Sequence, residues 1–201
     1  MKLNIINLID NLPIFSNYVK NNMPLQSHAS SYQNFNSCID FLNCTQSCLI
    51  FEHRPFTAIK LFNILLEKGK KGLIITRNHP EKLNNLMASN KIDMYWLSAE
   101  DYDYVIHPWD INLLVNTVQD FIKNNDQGII LINGLEYLST YNDPNIIFNL
   151  ISSVGETISK TNAKFFVSMD PIAIGNKFLD TIRNKSDIID ISTTPFKEAL
   201  M

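Results

Sequence analysis

The chain has 201 residues, with 17 Lys and Arg against 20 Asp and Glu and a formal net charge of −3. That balance argues against a general nucleic-acid binder, which needs a strong basic excess, and the length suits one domain with its own core, or one domain plus a short extension. No stretch approaches the ~20 apolar residues of a membrane span, and Met1 to Ile6 lack the apolar run of a signal peptide, so a soluble cytoplasmic protein with no membrane contact is expected.

Residues 1–45 hold two weakly amphipathic pieces, around Leu3 to Tyr18 and Phe35 to Leu42, separated by a Ser-rich polar stretch. Their spacing fits short helices better than strands, and Pro13 breaks the first, so residues 1–45 are expected to form a helical N-terminal extension. Such pieces are too short to be stable alone and must bury their apolar side against something; an intermolecular role is the favoured expectation. Cys38, Cys44 and Cys48 are odd in number and match neither a disulfide framework nor a paired zinc site, so buried or half-buried free thiols in a reducing cytoplasm are expected.

From residue 46 to 201 the pattern is regular. Apolar runs of strand length lie at 48–51, 73–76, 94–97, 129–132, 165–168 and 188–191. Helix-length segments separate them, at about 55–68, 80–88, 109–124, 143–161 and 175–184. Pro55, Pro80 and the Asp143-Pro144 pair mark helix starts, where a missing N–H costs nothing. Strands apolar on both faces, alternating with helices, predict a mostly parallel sheet covered on both sides, a three-layer α/β/α domain. Function in such sheets gathers in the loops leaving the carboxyl ends of the strands, here 52–56, 76–80, 97–101, 133–137 and 169–174.

The first of these loops runs Glu52-His53-Arg54-Pro55-Phe56-Thr57. A phosphate-binding loop uses glycines so that backbone N–H groups can converge on the phosphates. This loop has none, and Pro55 removes a donor, so a working phosphate loop is not expected; Lys60 reads as a solvated helix residue. The fourth apolar strand ends at Asn133, where an ATPase would place a magnesium-binding Asp. A neutral amide is a poor partner for a hard dication, and Glu136 stands nearby without a metal or a phosphate cradle. Arg77 and His79 follow the second strand, and Asp170 precedes Pro171 after the fifth. Arg77 is expected to form a buried or half-buried ion pair with Glu52, Glu136 or Asp170, since adjacent parallel strands deliver their ends to one edge; the alternative is a contact with an anion or an acidic partner. Asp170 reads as a turn-stabilising carboxylate. The four histidines show no metal-ligand spacing, and no nucleophile elbow is present.

With these residues set out, the chain resembles the archaeal family known as domain of unknown function 835. The matching pieces are Gly72 to Leu83, including Thr76, Arg77, Pro80 and Glu81; Trp96-Leu97-Ser98; Ile106-His107-Pro108; Gly128 to Leu138, including Asn133, Gly134, Glu136 and Tyr137; and Asp170-Pro171. The family pattern usually carries Asp where Asn133 stands. The resemblance implies a RecA-like or KaiC-like ATPase domain that has lost its phosphate loop, used in archaeal signalling or regulation, with no activity attached to the family. It covers about residues 50–185.

Together these readings lead to a non-catalytic protein-interaction module, not an enzyme, with no cofactor and no metal. Another protein or a second copy is the expected partner. The alternative is a small-ligand or nucleotide sensor whose cleft is lined by Arg77, His79, Glu136, Asp170 and Glu52; a hydrolase or nuclease using those carboxylates is a third and weaker reading.

Overall fold

The computed structural model describes residues 46–84, 87 and 91–174, together with the backbone of 188–190. The proposed N-terminal extension and the expected helix at 175–184 lie outside the described residues. The described residues form twelve elements in chain order: β1 (Ser47–Phe51), α1 (Phe56–Leu66), β2 (Gly72–Thr76), α2 (Pro80–Asn84), β3 (Ile92–Leu97), β4 (Val105–Ile106), α3 (Ile111–Asn124), β5 (Ile129–Asn133), α4 (Leu135–Tyr141), α5 (Pro144–Ser159), β6 (Lys164–Met169) and β7 (Ile188–Asp190).

The strands form one seven-stranded sheet in the order β4-β3-β2-β5-β6-β1-β7, and every pairing is parallel. Strands β1, β2, β5 and β6 are buried almost throughout, which is why their sequences show no polar alternation. One face packs Leu49, Phe51, Ile75, Ile132 and Val167 against Leu114, Val118, Leu138, Leu150 and Val154 of α3, α4 and α5. The opposite face, with Ile50, Ile74, Leu131 and Phe166, follows by alternation along each strand, and α1 lies over β5 and β6 there with Ala58, Ile59, Phe62 and Leu65 buried. This is the expected three-layer α/β/α arrangement. All of these elements belong to one compact unit, Gln46–Ser192.

The helix starts follow local chemistry. Asp110 caps α3, its carboxylate accepting from Leu113 N, and Asp143 caps α5 by accepting from Asn145 N, with Pro144 in the first turn. Two elements depart from the sequence expectation. The stretch 133–137, expected as a loop, becomes α4 after a single turning residue, Gly134 at φ 114. Glycine fits that left-handed backbone without a side-chain clash. The two-residue β4 is added in parallel beside β3 after only a short connection, closed by Trp96 N to Tyr104 O (2.9 Å) and Ser98 N to Ile106 O (3.2 Å). Tyr104, at φ 58, makes the tight turn.

Candidate functional site

Parallel pairing brings a row of polar residues into register at the carboxyl edge: Thr76 opposite Asn133, and Asn133 opposite Ser168. All three are buried and lie on the sheet face covered by α1. Thr76 Oγ1 donates to Asn133 Oδ1 (3.3 Å), and Asn78 N donates to Thr76 Oγ1 (3.1 Å), so the side chain of Asn133 is committed to its neighbour strand.

Glu52 completes this row and is the most constrained charged group of the edge. It is only 4% exposed. Its carboxylate accepts from Ser168 Oγ (2.7 Å) and turns back onto the start of α1, where Thr57 N (2.9 Å) and Ala58 N (3.2 Å) both donate to it. The first N–H groups of a helix have no acceptor within the helix and attract anions. In this chain the anion is its own side chain. Burial pushes the carboxyl up to about 6, against the pull of Ser168, Thr57 and Ala58. Glu52 is therefore not the partner of Arg77.

Arg77 does not form the expected ion pair. Its side chain is exposed and no described carboxylate bridges to it. Its guanidinium lies over the Tyr137 ring, 4.4 Å from the centroid. The physical reason lies in β5: its end is followed at once by α4, which lifts Tyr137 beneath Arg77. Glu136 comes nearest to the expectation. Burial raises its carboxyl; the N–H groups of Glu136 and Asp170 and the charge of Arg77 oppose the rise, while the charge of Asp170 adds to it. Glu136 Oε2 is buried with no hydrogen-bond partner.

Asp170 acts as the turn residue read from the sequence, accepting from Ile172 N at 2.9 Å, and also meets His53 Nδ1 at 3.1 Å. Pro171 is half-buried in the same turn. His79 stands apart from these carboxylates. Its ring meets Trp96 edge-on (centroids 4.8 Å) and Tyr102 (5.4 Å), while Trp96 Nε1 donates to Arg77 O at 3.1 Å. Pro80 opens α2 with Glu81 exposed beside it, and buried Ser98 accepts from Glu100 N through Oγ. The five expected cleft residues thus split. Glu52 is sealed into the fold, Glu136 lies within the fields of Arg77 and Asp170, and His79 joins an aromatic group.

Sequence reasoning missed that aromatic group. Trp109 stacks on His107 (4.8 Å, 11° between planes) and meets Tyr141 (5.8 Å), which in turn meets Tyr137 (5.2 Å). The signal available was the dense Tyr102-x-Tyr104 and Trp109 cluster among acidic residues. Among the described residues there is no group of three or more His, Cys, Asp or Glu able to hold a metal, and no helix long and apolar enough to cross a membrane. A shallow cavity of about 380 Å³, lined by Lys68, Lys70, Lys71 and Asp126 among others, opens at the amino end of β2 and β5, away from this edge.

The family described as "Protein of unknown function (DUF835)" matches residues 51–185. The chain belongs to that family. The matched span of this DUF835 chain includes Glu52, Arg77, Asn133, Glu136 and Asp170, so the whole carboxyl edge falls inside the family region. A KaiC-like protein from the hyperthermophilic archaeon Pyrococcus horikoshii is similar in structure, at 12% identity and TM-score 0.49, over 72% of this chain and 71% of its own. No curated protein matches the chain.

Proposed function

We propose that this DUF835 chain is a non-catalytic protein-interaction module of archaeal signalling or regulation, a RecA-like ATPase domain whose nucleotide chemistry is gone. The observation that carries the reading is the Glu52 carboxylate seated on Thr57 N and Ala58 N. A nucleotide phosphate would need those same amides, and an internal anion held also by Ser168 has to be displaced first. Like charge makes that displacement costly. Asn133 adds to the case, because its amide carbonyl is turned to Thr76 and carries no charge for a magnesium ion. The partner is another protein or a second copy of the chain.

Calorimetric titration of the full chain with Mg-ATP tests the first half: no saturable heat and no turnover are expected. Micromolar affinity, or hydrolysis lost in Lys60→Ala, overturns it. A second reading, a small-ligand sensor without hydrolysis, is favoured by Glu136 Oε2, a buried acceptor without a donor. It calls for a ligand whose thermal stabilisation of the protein disappears in Glu136→Gln.

A further inference from the structure

The rim beside β4 combines two properties. Its aromatic side chains are unusually open, with Tyr102 52%, Trp109 53% and Tyr141 46% exposed. Exposed rings gathered into one patch with a polar rim are the kind of surface that marks a recognition site. They are also held in place. His107 donates from Nδ1 to Ser98 O (3.0 Å), meets Asp101 Oδ1 through Nε2 (3.4 Å) and stacks on Trp109. Asn142 Nδ2, donating to Pro108 O (2.7 Å), ties the Trp109 loop to the end of α4. Tyr102, Asp101, His107, Trp109 and Tyr141 thus form one linked ribbon. Tyr104 turns the chain in the left-handed region, where a bulky residue is strained, and such strain persists where the surrounding structure enforces it.

The second property is charge. Residues 92–122 contain six Asp and Glu and no Lys or Arg, a local charge of −6 against −3 for the whole chain. Four of the six, Glu100, Asp101, Asp103 and Asp110, lie in or beside the β3–β4 connection. Rings with negative faces set among carboxylates suit a cation, and a planar guanidinium best, since it can stack and hydrogen-bond at once. The molecule already shows this pairing once, with Arg77 over Tyr137. Among the described residues no Lys or Arg is seen over the next rings of the row, Tyr141 and Trp109, whose neighbour on one side of Trp109 is the stacked His107.

We propose that this ribbon docks an arginine-bearing segment of a partner protein, with guanidinium groups on Trp109 and Tyr141 and against Asp101. The proposal rests on the interaction reading above and gives that reading a surface and a partner chemistry. The acidic surroundings work against a nucleic-acid strand, whose phosphates would be repelled.

The chain has two tryptophans, so peptide binding can be followed by fluorescence, with Trp96 as the residual reporter when Trp109 is removed. The probes are a (Gly-Arg)4 peptide and its Lys and Glu counterparts, titrated into the full chain. Saturable binding of the Arg peptide, several-fold weaker binding of the Lys peptide and none of the Glu peptide are expected. Trp109→Ala with Asp101→Asn should weaken the Arg peptide by roughly tenfold, whereas Glu67→Gln with Glu156→Gln, which removes more charge elsewhere, should stay within about twofold. Circular dichroism confirms that each variant folds. Absence of saturation, or equal weakening in both variant pairs, overturns the proposal. So does light scattering showing a dimer that Trp109→Ala with Asp101→Asn returns to a monomer, which would mean that a second copy closes the ribbon in the free protein. If the peptide fails while wild type and Trp109→Ala/Asp101→Asn recover the same proteins from native cells, the surface is wrong and the interaction reading stands. If the chain also hydrolyses ATP, the interaction reading falls with it.

Discussion

Glu52 makes the linkage between fold and chemistry measurable. Its carboxyl stands at about 6 in the folded chain against an ordinary value of 4.5, with burial as the main cause. The folded protein therefore binds this proton more tightly than the unfolded chain between those two pH values. Stability from this group is fully present below about pH 4.5 and is lost as pH rises through about 6. The difference of about 1.5 pH units corresponds to about 2 kcal/mol. Glu52→Gln keeps the shape and removes the titration. At pH 7 the variant escapes the cost of a buried charge but sets an NH₂ group against one of the donors Thr57 N, Ala58 N or Ser168 Oγ, an opposing cost of about 1–3 kcal/mol. The two proteins should then be nearly equal in stability at pH 7, with the wild type ahead by about 2 kcal/mol at pH 4.5. Urea melts of both chains at several pH values between 4.5 and 7.5 read this directly, because groups common to both cancel in the difference. A difference that stays constant within about 0.5 kcal/mol would refute the reasoning. A slope of the opposite sign would show that the three donors outweigh burial.

Gly134→Ala should cost about 1–3 kcal/mol and several degrees of Tm, since the backbone at φ 114 disfavours a side chain and the new methyl would lie 3.3 Å from Arg77 Cβ; an unchanged melt would mean the turn relaxes freely. Arg77→Ala should cost under about 1 kcal/mol, the scale of an exposed cation–π contact, and a loss of several kcal/mol in denaturant would restore the buried ion pair. Asp110→Ala should remove about 1 kcal/mol by stripping the α3 cap, with Asp110→Asn retaining most of it in the same melts.

The strands were legible because each is buried on both faces and writes itself as an unbroken apolar run; β2 and β5 match their sequence runs to within a residue. The Asp143 cap involves a partner two residues away, so local pattern sufficed for it, whereas the Asp110 cap was not singled out from the sequence. β4 escaped because two residues carry no periodicity, and its pairing depends on a turn made by a tyrosine, which no turn rule favours. The chain 135–141 has helical spacing, but its position directly after a strand end disguised it as a loop. Arg77 illustrates the limit of edge reasoning. Adjacent strand ends do meet, yet the start of α4 put an aromatic ring where a carboxylate was expected.

By itself the sequence determined the parallel three-layer class, the position of the carboxyl edge, the lack of glycine in the first loop and the neutral Asn133, because each is a matter of local composition and period. Tertiary structure alone decided what fills the edge. Glu52 meets Ser168 across 116 positions of chain only because β1 lies beside β6 in the sheet. Strand order is fixed by how the helices cover both faces, and no local pattern records it. The fate of the first loop was decided the same way: its sequence shows that a phosphate cradle is missing, and only the packed sheet shows that a carboxylate has taken the amides.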